Sequence, residues 1–264
     1  MEFQDIVYEK DQGIAVIKLA RPHVLNALRD RTWQEIDQVI TDLRGDKDIR
    51  VLVFTGEGRA FSVGADIKEM GEDFQGKVNF FEVRKSVLRM QRITQEIINL
   101  QQPTIAAVNG YALGAGAELA ILCDLRVASE KAEFGFPEVK VGLFETNGVT
   151  HILPGLVGLG RAKELMLTGN TVDAGEALRI GLVEKVVPHE RLMEEAKKLA
   201  RRIAANAPVS TSLVKRCLNT GAAATLETAL TYETEAVMAC LLTEDVREGM
   251  LAFLEGREPS FKGR

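Results

Sequence analysis

Thr104-Ile105-Ala106-Ala107-Val108-Asn109-Gly110, followed by Tyr111-Ala112-Leu113-Gly114-Ala115-Gly116-Ala117-Glu118, is the stretch on which the fold turns. Its first part is a small and β-branched apolar run closed by glycine, the pattern of a strand buried on both faces. Its second part is a turn of small residues that runs straight into the apolar helical segment 119–122. Working outward, Ile14-Ala15-Val16-Ile17-Lys18-Leu19 reads as a strand closed by Pro22, and Val51-Leu52-Val53-Phe54-Thr55-Gly56 as a second buried one. Leu125-Arg126-Val127-Ala128 is a further strand. Trp33, Ile36, Val39, Ile40 and Leu43 recur at helical spacing within 28–43, and a longer helix is expected over 81–100 after a polar interruption at 71–77. Repeated strand–helix units imply a mostly parallel sheet covered by helices. Beyond residue 160 the pattern becomes helical, at 162–167, 174–180, 190–205, 209–218 and 226–242, with one short strand at most over 183–187. The tail from 252 to 264 mixes aromatic and basic residues and reads as an amphipathic terminal helix with a frayed end.

Composition limits the function classes. The 264 residues are 46% apolar, enough to bury one full core. A net charge of −5 argues against nucleic acid as the main partner, because phosphate binding leaves a basic footprint. No apolar run approaches the ~20 residues needed to span a bilayer, so no membrane partner is expected. The start, Met1-Glu2-Phe3-Gln4-Asp5, is neither a signal peptide nor an Arg-rich transit sequence. Cys123, Cys217 and Cys240 are scattered in apolar contexts and read as reduced thiols. The expected location is cytoplasmic. His23, His151 and His189 are isolated, so no metal site is expected.

Two glutamates carry the chemistry. Glu118 closes the small-residue turn, and Glu138 lies in Phe134-Gly135-Phe136-Pro137-Glu138-Val139 among aromatic and aliphatic neighbours. Carboxyl groups in partly apolar surroundings can be given different pKa values, so that one accepts a proton while the other donates one. That suits adding water to a double bond beside a carbonyl, or removing it. Two glycine-rich segments supply the complementary element. In Arg59-Ala60-Phe61-Ser62-Val63-Gly64-Ala65-Asp66-Ile67-Lys68 the small residues leave the backbone open to a ligand carbonyl. Ala115 and Gly116 do the same at a helix start, where N–H groups are unpaired and the dipole end is positive. Two such donors on one oxygen form an oxyanion hole, a contribution of about 3–4 kcal/mol per donor. Each segment read alone is equally a tight strand-to-helix turn with no ligand. Thr55-Gly56-Glu57-Gly58 and Gly114-Ala115-Gly116 are fragments of dinucleotide loops but neither completes G-x-G-x-x-G, and the chain has no phosphate-loop or nucleophile-elbow motif.

Taken in order, these segments resemble the crotonase (enoyl-CoA hydratase/isomerase) family. The resemblance runs from Arg21-Pro22-His23-Val24-Leu25-Asn26-Ala27-Leu28 to Ser260-Phe261-Lys262. Its anchors are Ala60-Phe61 with Gly64-Ala65-Asp66-Ile67-Lys68, then Ala107-Val108-Asn109-Gly110 with Gly114-Ala115-Gly116-Ala117-Glu118-Leu119, then Phe134-Gly135 with Pro137-Glu138 and Gly142-Leu143. It implies an α/β fold, a crotonase-like spiral of ββα repeats with a C-terminal helical region. The core with the acyl-CoA site would span 1–200 and a helical trimerisation region 201–264, in a homotrimer or homohexamer. It also implies an acyl-CoA thioester substrate and no resident cofactor, coenzyme A being part of the substrate.

Carried over by motif, the oxyanion amides are those of Ala65 and Ala115; Ala115 stands in the middle of what is often a run of three glycines. Val63, Ile67 and Lys68 would lie along the CoA, with His23, Val24 and Leu25 on its pantetheine or adenine portion. Phe261 and Lys262 would reach the adenine-phosphate end of CoA bound in a neighbouring subunit. Glu118 and Glu138, twenty positions apart, match the two catalytic acids of the hydratases. The activity so implied is addition of water to a 2-enoyl-CoA to give a 3-hydroxyacyl-CoA, or the reverse. The alternatives beside it are a Δ3-Δ2 enoyl-CoA isomerase using Glu138 alone or another crotonase-fold acyl-CoA lyase or hydrolase, and, in a different class, a non-catalytic acyl-CoA-binding or assembly protein.

One departure from the family pattern concerns the acyl end. Hydratases usually follow the second acid with a Pro-Gly-rich stretch, whereas this chain has Phe144-Glu145-Thr146-Asn147-Gly148-Val149-Thr150. Glu145 either points away and supports the start of the helix after Thr146 electrostatically, or marks a polar acyl group or a different reaction. Phe80, Phe81 and Val87 either help line the acyl pocket together with Glu145 and Thr146 or pack in the core.

Overall fold

The computed structural model describes residues 2–68 and 79–264. The polar stretch 71–77 lies outside them. The chain opens with a hairpin of β1 (Ile6–Asp11) and β2 (Ile14–Leu19), paired antiparallel from Ile6 with Leu19 to Asp11 with Ile14. Gln12 and Gly13 form its two-residue turn with φ of 47° and 77°, the left-handed pair that matches the twist of a hairpin. The spacing of Trp33 to Leu43 yields α1 (Asp30–Gly45), which starts two residues later than its pattern because Leu28 is held in a parallel bridge to Ala65.

Three strand–strand–helix passages then define the spiral. β3 (Val51–Gly56) leads to the short β4 (Ala60–Ser62), and α2 (Phe80–Ile98) follows. β5 (Thr104–Val108) leads to β6 (Tyr111–Leu113) and α3 (Ala115–Leu122). β7 (Leu125–Ser129) leads to β8 (Glu133–Gly135), after which a 3-10 turn, Glu138–Val141, takes the place of the helix. The remaining elements are α4 (Val149–Val157), α5 (Leu159–Thr168), β9 (Thr171–Asp173), α6 (Ala174–Arg179), β10 (Lys185–Val187) and α7 (Leu192–Ala204). Three further helices close the chain: α8 (Pro208–Gly221), α9 (Leu226–Leu241) and α10 (Glu244–Glu255).

The long strands form one six-stranded sheet in the order β1-β2-β3-β5-β7-β10, parallel except for the first pair. The short ones form a second sheet, β4-β6-β8-β9, parallel except for its last pair. Alternation along the strands sorts the core into two layers. Ala15, Ile17, Leu52, Phe54, Ala106 and Val108 join Trp33, Ile36, Ile40, Ile93 and Ile97 on one face. Val16, Val51, Val53, Ile105 and Val127 meet Leu192, Ala196 and Ala200 of α7 on the other. This double coverage explains why the central strands read as continuous apolar runs. The tail helix begins earlier than the sequence pattern suggested, at Glu244, and residues beyond Gly256 are irregular.

Candidate active site

The C-terminal ends of β3 and β5 deliver their chains to the short sheet, and the loops after that sheet meet. Leu28 N–H donates to Gly64 O at 2.7 Å, and Asp66 N–H donates to Leu28 O at 2.9 Å. The bridge therefore uses the carbonyl before Ala65 and the amide after it, leaving the amide of Ala65 itself outside the pair. Ala115 is the first residue of α3, so its N–H has no carbonyl four residues back within the helix. The two loops touch: a Cβ built on Gly64 would stand 3.2 Å from Ala115 N. Gly64 has φ +97° and Gly114 φ +51°, left-handed values that favour glycine. At Gly114 the requirement is double, since a Cβ there would stand 2.6 Å from Glu138 Oε1. Glu138 is thus set directly against the turn that presents the Ala115 amide.

Glu118 is 1% exposed, one turn into α3. Both its oxygens are held. Thr146 N–H donates to Oε1 at 2.9 Å and Asn147 Nδ2 donates to Oε2 at 2.6 Å. The clamp is braced from α2, where Thr94 Oγ1 donates to Asn147 Oδ1 at 3.1 Å and Gln91 Nε2 to Thr146 O at 3.2 Å. Glu138 is half-buried and its Oε2 has no hydrogen-bond partner among the described residues.

These surroundings raise both acids but supply them with different partners. Burial raises the pKa of Glu118, and the nearby Glu145 charge raises it further, while the Thr146 and Asn147 donors favour its ionised form. For Glu138 burial again dominates, and Glu118 and Glu145 add like charge, so its pKa is pushed up to about 7. One carboxyl carries donors suited to an anion. The other keeps its proton near neutrality.

Most of the residues singled out in the sequence converge here. Val63 N–H donates to Leu25 O at 3.2 Å, which brings His23, Val24 and Leu25 beside Val63, Ile67 and Lys68. His23, Ile67 and Lys68 are exposed. Phe261 and Lys262 do not join them within the protomer. Arg50, which precedes β3 and so stands at the opposite end of the sheet, donates through Nη2 to Phe261 O at 3.1 Å, and Lys262 N–H donates to Asp245 Oδ1 at 2.7 Å. Core packing is excluded for Phe80 and Phe81, which are 78% and 86% exposed at the start of α2; Val87 is half-buried. Glu145 does not point away. It is buried, its charge acts on both acids, and α4 is capped instead by Gly148 in the left-handed conformation.

Sequence reasoning passed over Asn147, Thr94 and Gln91, because their roles depend on contacts across 29 to 55 positions. It also passed over Arg21, whose Nη1 donates to Ala27 O at 2.6 Å and Asp66 Oδ2 at 2.9 Å and so ties the segments 21–28 and 63–68 together. Asn26 was the more findable: its side chain donates to Glu57 O at 3.0 Å and Ala60 O at 2.8 Å from within the conspicuous motif at 21–28.

A path of ββα units, with two small-residue loops abutting beside one buried and one half-buried carboxyl group, defines the crotonase-like class. Comparison with known proteins agrees. The description "Enoyl-CoA hydratase/isomerase" matches residues 9–264. The short-chain-enoyl-CoA hydratase of Clostridium acetobutylicum is 43% identical over 266 aligned positions, covering 100% of both chains. The crotonyl-CoA hydratase of Syntrophomonas wolfei is 40% identical, with 99% of each chain covered. Among solved structures, an enoyl-CoA hydratase from Bacillus anthracis superposes with a TM-score of 0.94 at 37% identity, covering 99% of this chain and 100% of that one. The chain belongs to the enoyl-CoA hydratase/isomerase family.

Proposed function

We propose that this protein is an enoyl-CoA hydratase that adds water across a 2-enoyl-CoA double bond to give a 3-hydroxyacyl-CoA. The observation that carries this reading is the unequal treatment of Glu118 and Glu138 beside the Ala65 and Ala115 amides. The amides bind the thioester oxygen and stabilise the charge that accumulates there as the enolate forms. Glu118, in the ionised form that the Thr146 and Asn147 donors favour, takes a proton from water as the water oxygen bonds to Cβ. Glu138 then gives its proton to Cα as the enolate collapses. Each turnover leaves Glu118 protonated and Glu138 ionised, and exchange with solvent resets them. No resident cofactor is needed for these steps. An isomerase working through Glu138 alone would leave the Glu118 clamp without a purpose, and a purely binding protein would need neither acid.

Coenzyme A lies along Val63, Ile67 and Lys68 and against His23, Val24 and Leu25, while Phe80, Phe81, Val87 and Thr146 border the acyl end. The helical region 201–264 mediates assembly into a homotrimer or homohexamer, which would also give Phe261 and Lys262 a neighbour's CoA to contact. Support comes from Leu226, Leu230, Val237, Leu242 and Phe253, all exposed in the single chain. Among the described residues no helix is long and apolar enough to cross a membrane, in keeping with a cytoplasmic location. The test is hydration of crotonyl-CoA by the purified protein, followed as loss of conjugated-thioester absorbance. Turnover supports the reading, and binding without turnover would move the protein to the non-catalytic alternative.

A further inference from the structure

Glu145 is the one carboxyl group of the site that the proposed hydration does not use. It is 7% exposed, and its Oε1 is buried with no hydrogen-bond partner among the described residues. A buried acceptor without a donor is unfavourable and rare, so it needs an explanation. Its position is fixed: the next two residues are pinned by Glu118 on one side and by Gln91 and Thr94 of α2 on the other. Its charge is felt by both Glu118 and Glu138. Among the described residues no three carboxylate, imidazole or thiol groups are disposed to hold a metal ion. No described residue supplies the missing donor.

On the hydratase reading, with the thioester oxygen on Ala65 and Ala115 and with Cα and Cβ between the two acids, the carbons beyond Cβ would continue toward the segment that carries Glu145, whose charge reaches both acids. A plain alkyl chain lying there leaves Glu145 Oε1 both dehydrated and unpaired. A chain carrying a hydroxyl group satisfies it. We propose that Glu145 is a specificity-determining residue that accepts a hydrogen bond from the acyl chain, so that the preferred substrates are enoyl-CoA thioesters bearing a hydroxyl group beyond Cβ. This rests on the hydratase reading and adds the class of acyl group to it.

Matched pairs that exchange a methyl group for a hydroxyl group test it: pent-2-enoyl-CoA against 4-hydroxybut-2-enoyl-CoA, and hex-2-enoyl-CoA against 5-hydroxypent-2-enoyl-CoA. In the wild-type protein kcat/KM should favour the hydroxylated member of at least one pair by about 10–100-fold, the range of a hydrogen bond to a charged group. Glu145→Leu should abolish or reverse that ratio, and Glu145→Gln, which keeps an acceptor oxygen, should retain part of it. A wild-type ratio at or below one in both pairs overturns the proposal, as does a preference that survives Glu145→Leu. The wild-type ratio decides the matter even if the leucine variant fails to fold. Crotonyl-CoA separates the two levels of the argument. Its hydration without any hydroxyl preference sinks only the role of Glu145, whereas no turnover of any enoyl-CoA sinks the hydratase reading and this inference with it.

Discussion

Asn147→Ala removes one of the donors that favour the ionised form of Glu118, the 2.6 Å bond from Nδ2 to Oε2, and leaves the backbone N–H groups of Thr146 and residue 147 in place. A hydrogen bond to a charged group contributes about 1.5–3 kcal/mol. At 1.36 kcal/mol per pH unit, its loss moves protonation of Glu118 upward by about 1–2 pH units. Glu118 must be ionised to accept a proton from water, so the ascending limb of the pH profile of kcat/KM should move up by that amount. The descending limb belongs to Glu138 at about 7, and Asn147 does not touch it. The bell therefore narrows, its maximum falls, and activity on the acid side drops about 10–100-fold. Crotonyl-CoA hydration measured from roughly pH 5 to 9 reads both limbs at once. An ascending limb that stays in place, or a uniform fall at every pH, would refute the assignment of Glu118 as the base.

Two further outcomes follow from the same geometry. Ala115→Pro deletes the proposed oxyanion donor at the first helical position, where proline is accommodated; kcat should fall about 100–1000-fold with little change in thermal midpoint, and undiminished kcat would remove Ala115 from the site. Glu138 keeps its proton up to about 7 instead of the ordinary 4.5, so the folded state binds more protons than the unfolded state between those values and stability falls as pH rises through that window. Urea unfolding should show the wild-type protein losing about 1–2 kcal/mol between pH 5 and pH 8, a figure reduced for the partial exposure of the side chain. Glu138→Gln should lose measurably less, and parallel curves for the two proteins would contradict the raised pKa.

The central strands and the longer helices were legible because burial on one or both faces writes a continuous or periodic apolar signal into 51–56, 104–108 and 28–43. The strand Ile6–Asp11 was not, because it lies at the sheet edge and carries Glu9, Lys10 and Asp11, all exposed. The second sheet was hidden for a different reason. Its strands are three residues long, too short for any period to register, and only the family resemblance anticipated the ββα path. In the site, the residue types of Glu118, Glu138, Ala65 and Ala115 announced themselves through small-residue turns and apolar neighbours. The clamp by Asn147, braced from Thr94, did not, because nothing local marks a partner 29 or 53 positions away. Glu145 shows the limit most clearly: its presence was visible in the sequence, but the direction of its side chain is set by the packing of α2 and α3 around the segment that carries it.

The account stands or falls on whether two carboxyl groups act together on water, and crotonyl-CoA hydration by Glu118→Gln beside the wild-type protein tests that most directly. Glutamine keeps the size and acceptor oxygen of the side chain but cannot take a proton. Loss of conjugated-thioester absorbance should be fast in the wild type and slower by about 100–10,000-fold in the variant. Full hydratase activity in Glu118→Gln would contradict the two-carboxyl mechanism and leave Glu138 to act alone.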